Sequence, residues 1–160
     1  MKTRTSKKPT CSGLAPFCVY TIVSTERFEE ARLAGEPWRF KEARRWATAA
    51  GLWADAFDQG LEMAVLFGNA AHCSCLVGWG VLAGLNVADD GTRCIISDIR
   101  AIPGNHKTQE LVLRSTGDRI APGFIKPYAI CETPAFLARR TPGRRGKSQN
   151  PSVASCAAPR

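Results

Sequence analysis

The longest uncharged stretch of this sequence, residues 63–88, limits the folds open to the chain more than any other feature. It is long enough to cross a bilayer, but it contains several polar side chains and four glycines. It also divides into two β-like runs, 63–67 and 79–87, with a short segment between them. Two neighbouring buried strands of a soluble core explain this pattern better than one membrane-spanning helix. We therefore predict that the chain has no membrane partner.

The second β-like run continues into a turn and a returning strand. Apolar residues alternate over 81–87, the turn-forming sequence Asp89-Asp90-Gly91 follows, and 93–99 returns. The sequence therefore predicts a β-hairpin. Three glycines between residues 78 and 84 lie inside its first strand and do not open a helix, as a dinucleotide-binding fingerprint would require. We interpret them as positions of close backbone packing.

Local patterns elsewhere alternate between strands and helices. A strand is predicted over 17–24, and a helix follows between a Ser or Thr cap and Gly35. Apolar residues at helical spacing predict a second helix over 39–58, with its tryptophans in the core. A last strand over 124–131 contains a proline, which places it at an edge or a bulge. This order predicts an α+β fold, a small mixed and mainly antiparallel β-barrel with inserted helices, rather than a doubly wound sheet.

The net charge of +8 is concentrated at the two ends of the chain. Residues 1–9 carry +4, residues 10–138 carry −2, and residues 139–160 carry +6. Basic ends of this kind either contact phosphate or simply keep a protein soluble, and the sequence leaves both readings open. The predicted organisation is a basic disordered segment at 1–16, a folded domain at 17–137 and a basic disordered tail at 138–160.

The cysteine pattern argues against export. Seven cysteines occur at irregular spacing, which is a poor framework for disulfides. The start of the chain also lacks a convincing apolar signal-peptide core. We therefore predict a cytoplasmic location.

One short segment combines histidine with cysteine. His72, Cys73 and Cys75 place three soft ligands within four residues, but a structural zinc site needs a second pair of ligands elsewhere. We predict no metal and no cofactor. Cys73 remains open as a nucleophile with His72 or His106 as its base.

The candidate binding residues are polar groups of one loop and turn, together with two tryptophans. The polar groups supply the donors that phosphates and base edges require, although ordinary solvated residues are the alternative. The tryptophans lie outside the helical stripe, so each is either a stacking face for a base or a core residue. The candidate nucleic-acid-binding residues are Trp38, Trp79, His106, Lys107, Arg114 and Ser115.

Four short strings carry a resemblance to a known superfamily. They are CVYTIVS at 18–24, MAVLF at 63–67, WGVL at 79–82 and FIKPYAI at 124–130. In their order the chain resembles the PUA-like superfamily, in particular its ASCH and EVE branches, and it is similar to a bacterial uncharacterised family whose late stretch ends in Arg- or Lys-Pro-Tyr-Ala. The resemblance implies a small mixed β-barrel with helices inserted after the first strand. It also implies a cleft that accepts RNA or a modified DNA base.

These observations favour a non-catalytic module whose partner is RNA or DNA. Two alternatives stay open: a small-molecule hydrolase or transferase that uses Cys73 or His72 in the same cleft, and a protein-interaction module. The sequence leaves the oligomeric state open.

Overall fold

The computed structural model describes residues 13–35, 37–69, 75–102, 105–121 and 128–138. Strands and helices alternate along these residues. The elements are β1 (Phe17–Val23), α1 (Thr25–Ala34), β2 (Trp38–Glu42), α2 (Ala47–Asp58), β3 (Ala64–Asn69), β4 (Leu76–Ala88), β5 (Gly91–Ala101), a 3₁₀ turn (Thr108–Glu110), β6 (Tyr128–Glu132) and α3 (Ala135–Ala138).

Six strands form one mixed sheet in the order β2-β5-β4-β3-β1-β6. β1 and β3 are parallel, and the other neighbouring pairs are antiparallel. The predicted α+β class is therefore confirmed. Over the described ranges, β2 and β6 lie at opposite ends of an open sheet, so these strand pairs do not close the expected barrel.

Apolar side chains pack on both faces of the central part of the sheet. On one face Val65 packs with Phe28 of α1 and Ala49 of α2. On the other face Leu66 packs with Leu111 and its neighbours. Successive side chains of a strand point to opposite faces, so adjacent residues of β3 enter different cores. All six residues of β3 are buried, as expected for a central strand.

The first helix has the ends that its sequence predicts. The Ser24 side chain accepts a hydrogen bond from the Arg27 N–H at 3.3 Å and so caps the start of α1. Gly35 ends the helix with a φ of 70°, a left-handed conformation that glycine adopts without steric cost.

The second helix is shorter than predicted, and the expectation for its first part is wrong. Residues 39–42 belong to β2, and α2 begins only at Ala47. Within β2, Phe40 is buried while Arg39 and Lys41 are exposed. This alternation of period two indicates a strand, but it is short, and the helical spacing of the residues that follow led to the prediction of a helix. Pairing with β5 stabilises the extended conformation, and local periodicity does not reveal such a long-range contact.

Thr92 of β5 joins the segment before α2 to the sheet. Its buried hydroxyl accepts a hydrogen bond from the Trp46 N–H at 2.8 Å and donates one to the Arg44 carbonyl at 2.6 Å. Trp46 is fully buried, as predicted for a core tryptophan. These contacts hold the start of α2 against the sheet.

The predicted hairpin is confirmed, and so is close backbone packing at two of its glycines. β4 and β5 are antiparallel partners joined by a turn at Asp89 and Asp90. A side chain at Gly78 would collide with the Phe28 ring of α1, and one at Gly80 would collide with Ile96. These glycines therefore allow close packing, as the sequence predicts.

Several predictions fall on segments outside the described residues. They concern residues 1–12 and 139–160 of the predicted basic ends, the segment 70–74 and residues 124–127 of the predicted last strand, whose described part is β6 at the sheet edge. None of the described helices has the length and apolar composition needed to cross a bilayer.

Candidate nucleic-acid interface

The two candidate tryptophans lie in different environments. Trp79 is 4% exposed and belongs to the core on the Leu66 face, so its ring presents no open face to a base. Trp38 is half-buried, and its ring lies 5.2 Å from that of Phe40 and 5.3 Å from that of Phe67. Both rings contribute to packing in this structure.

His106 and Lys107 lie in a loop that internal contacts hold in place. His106 Nδ1 lies 2.9 Å from Glu110 Oε1, and Glu110 Oε2 accepts the Lys107 N–H at 2.7 Å. The His106 ring also stacks on Phe136 of α3, with centroids 3.8 Å apart and planes 12° apart. Lys107 and Glu110 are exposed to solvent, whereas His106 is half-buried.

The Glu110 carboxyl group interacts with both His106 and the Lys107 N–H. Partial burial acts to raise the pKa of its carboxyl group, but stronger combined effects oppose it. The hydrogen bonds from His106 and from the Lys107 N–H, with the nearby charges of His106 and Arg119, leave the pKa below its ordinary value. The Glu110 carboxylate is thus stabilised in its charged form.

Arg114 and Ser115 lie together on a turn beside β6. The Arg114 N–H donates to the Ile130 carbonyl at 2.9 Å, which fixes the turn against the outer edge of β6. The Arg114 guanidinium lies over the Phe17 ring, 5.0 Å from its centroid, in a cation–π contact. Both Arg114 and Ser115 are exposed.

A cavity of about 310 Å³ opens at this turn, and we call it the Arg114 pocket. Its walls come from the turn, from β6 and from the first turn of α2. The lining residues are Thr48, Leu113, Arg114, Ser115, Tyr128, Ala129 and Ile130. None of these described lining residues is acidic.

Tyr128 connects the pocket to the start of α2. Its ring stacks on Trp46 with centroids 5.2 Å apart and planes 7° apart. Its hydroxyl accepts the Ala49 N–H at 3.3 Å, which satisfies one amide of the first helical turn. Burial raises the pKa of Tyr128, while the hydrogen bond from Ala49 lowers it in part. The phenol is therefore a neutral, oriented group at neutral pH.

The electrostatic surroundings of the Arg114 pocket favour an anion. Thr48 belongs to the first turn of α2, where the helix dipole places partial positive charge. Arg114 adds a full positive charge at the pocket wall. Arg44 and Arg45 are exposed just before the helix, although they do not line the pocket.

Sequence reasoning found two of these lining residues and missed two polar ones. Arg114 and Ser115 were predicted, whereas Thr48 and Tyr128 were not. The pair Arg44-Arg45 ahead of a helix start is a local signal for a basic surface. Nothing local indicates that a helix start, a late strand and a turn would meet. The structure places Trp38 and Trp79 in the two cores, His106 and Lys107 in the loop, and only Arg114 and Ser115 in the pocket wall.

Three of the four described cysteines, Cys18, Cys94 and Cys131, are buried thiols. Burial raises the pKa of Cys94 and of Cys131 to about 12 in each case, and it raises the pKa of Cys18 well above its usual range. Such thiols stay protonated and are weak nucleophiles. No group of three potential metal ligands occurs within the described ranges. His72 and Cys73, on which the enzyme alternative depends, lie outside the described residues.

Comparison of the chain with protein-family models, with curated proteins and with solved structures finds no match in any of the three. The fold and the pocket themselves define the described part of the chain as an α+β domain with an open six-stranded sheet and a cationic surface pocket. The resemblance to the PUA-like superfamily stays a prediction.

Proposed function

We propose that this chain binds RNA or a modified nucleobase, without catalysis, at the Arg114 pocket. The observation that carries the proposal is the convergence of Arg114, Ser115 and Thr48 around one open cavity beside the start of α2. The PUA-like resemblance implies the same class of ligand. It also implies a barrel cleft that holds the ligand, and this cleft is a further part of the proposal.

The pocket has the chemistry of a phosphate site. Arginine presents a planar fork of N–H donors that matches two phosphate oxygens. The hydroxyls of Ser115 and Thr48 add donors of the kind that contact nucleic-acid backbones. The first turn of α2 adds the partial positive charge that favours a bound anion. Because the lining residues include no acid, nothing in the described wall repels a phosphate.

The remaining walls suit the uncharged part of a nucleotide. Leu113, Ala129 and Ile130 are half-buried and give the cavity apolar surface. Its volume of about 310 Å³ lies at the lower end of small-ligand pockets, which run from about 300 to 1,000 Å³. The pocket therefore fits a single nucleotide unit rather than an extended stack of bases.

The direct test is fluorescence anisotropy of labelled single-stranded RNA, single-stranded DNA and methylated duplex DNA with the full chain at low and at moderate salt. We expect Arg114→Gln to weaken binding about tenfold and to reduce the salt dependence by about one phosphate contact. Ser115→Ala should weaken binding less, because it removes a neutral donor.

The matched control is Arg32→Gln on α1, which removes the same charge and breaks only an exposed ion pair with Glu29. The proposal fails if Arg114→Gln and Arg32→Gln have equal effects on affinity.

A further inference from the structure

The outer part of the sheet, where β2, β5 and β4 lie side by side, carries three cations on one face. Lys41 pairs directly across the strands with Arg93, and Arg39 pairs with Ile95. Phe40, between the two β2 cations, is buried in the core on the Val65 face. Side chains alternate along a strand, so Arg39, Lys41 and Arg93 share the opposite face. We call these three residues the basic strand face.

This face is concave and has an apolar floor. A cavity of about 290 Å³ lies over it, lined also by β4. Gly84 pairs with Ile95, and Asn86 pairs with Arg93. A Cβ at Gly84 would lie 3.3 Å from Ile95 Cδ1, so the glycine leaves the half-buried Ile95 side chain as the floor. The exposed Asn86 amide adds a further hydrogen-bond donor.

One acid competes for two of the cations. Asp90 Oδ2 lies 3.1 Å from Arg93 Nη2 and 4.0 Å from Lys41 Nζ. The side chains of Lys41, Arg93 and Asp90 are 62%, 53% and 58% exposed, so both ion pairs are weak. An external anion can replace Asp90 at little cost.

The geometry points to a second contact surface for nucleic acid, in which the basic strand face binds the phosphodiester backbone of single-stranded RNA. The inference takes the class of ligand from the proposed function, but it uses none of the residues of the Arg114 pocket. Arg39 and Lys41 are two residues apart on β2, so their Cα atoms lie about 6.6–6.8 Å apart. This distance is close to the separation of successive phosphates in an extended nucleic-acid chain. Three cations against one acid give the charge complementarity.

Backbone contact is the specific expectation because the cavity lining offers cations and an amide but no open aromatic ring. Phe40, its one aromatic residue, is buried. Phosphate contacts position a nucleic acid without reading its sequence. The basic strand face belongs to the β2 end of the sheet and the Arg114 pocket to the β6 end, so the two surfaces should act independently.

The sharpest test is a variant that should bind more tightly. Asp90→Asn releases Lys41 and Arg93, and asparagine, like aspartate, is a favoured turn residue. We expect a labelled uridine oligonucleotide to bind the full-length variant about two to five times more tightly, with a steeper salt dependence. The control is Glu29→Gln, which frees Arg32 from a closer and less exposed ion pair on α1 and should leave affinity nearly unchanged.

The complementary variant removes the cations. Lys41→Gln with Arg93→Gln should weaken binding about tenfold or more and lower the salt slope by about two contacts. The control pair, Arg27→Gln with Arg32→Gln, removes equal charge from α1. Circular dichroism of each variant checks that the sheet is retained.

The outcomes separate this inference from the proposed function. If Asp90→Asn and the cation variants match their controls while Arg114→Gln still weakens binding, the inference is overturned and the pocket stands. If Arg114→Gln has no effect but the strand-face variants act as expected, the pocket is overturned and the inference stands. If no oligonucleotide binds, both are overturned. If poly-glutamate binds as tightly as RNA with the same variant dependence, the occupant is an acidic polypeptide and the inference is overturned.

Discussion

At the residue scale, Tyr128 links the start of α2 to the edge of the sheet. Its ring stacks on the buried Trp46, and its hydroxyl accepts the Ala49 N–H. The N-cap position of α2 is Trp46, whose side chain makes no capping hydrogen bond. A residue about eighty positions away in the chain therefore supplies part of the cap.

We expect Tyr128→Phe to lower the free energy of unfolding by about 1–2 kcal/mol. The change keeps the stacked ring but leaves the buried Ala49 N–H without its acceptor. Urea denaturation followed by tryptophan fluorescence measures the effect, and Tyr128→Leu shows how much more the stack contributes. An unchanged denaturation midpoint for Tyr128→Phe would show that the hydroxyl contributes nothing to the cap.

At the scale of the elements, the position of α1 depends on a missing side chain in β4. The Phe28 ring lies directly against Gly78, and it also packs 5.7 Å from the Phe67 ring of β3. The Arg100 carbonyl is the other close neighbour of a Cβ at Gly78, 2.6 Å away, so that side chain would meet backbone as well. Backbone does not move aside as a flexible side chain does.

We expect Gly78→Ala to destabilise the fold by about 1–3 kcal/mol because the helix must shift away from the sheet. The matched control is Gly51→Ala in α2, where a Cβ meets no atom within 4 Å. That change should stabilise the protein by up to about 1 kcal/mol, since alanine favours the helix. Thermal unfolding of the two variants gives opposite shifts on this view, and a shift in the same direction would contradict it.

At the scale of the whole molecule, the excess positive charge lies at the two ends of the chain and not in the residues between them. Residues 10–138 carry a net charge of −2, while the two ends carry the excess of basic residues. The cationic pocket and the basic strand face are therefore local features on a slightly acidic body. We expect charge at the ends to add affinity without specificity, because counterion release depends on the number of phosphates neutralised.

We expect the full chain with all ten Lys and Arg residues of segments 1–9 and 139–160 changed to Gln to bind RNA more weakly at low salt, with a shallower salt dependence. Arg114→Gln should then weaken binding by the same factor as in the natural chain, because separate sites contribute additively. Anisotropy titrations of the four proteins measure this. Complete loss of binding on neutralising the ends would assign the affinity to them alone.

Patterns within a few residues could be read directly from the sequence. The caps of α1, the buried run of β3 and the β4–β5 hairpin depend on local propensity, turn chemistry and side-chain alternation, and each was predicted near its true bounds. The same reasoning failed for β2, where helical spacing downstream outweighed a short alternation. Two of the four polar residues that line the Arg114 pocket were predicted, because Arg114 and Ser115 lie together in a polar turn whose donors are visible in the sequence.

The sequence by itself determined the α+β class, the hairpin and the apolar runs that fill both cores, because these follow from interactions between residues close together in the chain. Tertiary structure decided that β1 pairs in parallel with β3, that β2 joins β5, and that the sheet stays open across the described strands. It also brought Thr48, Arg114 and Tyr128 to one cavity. Such contacts join segments far apart in sequence, and their free energy comes from burial and hydrogen bonding that no local pattern records.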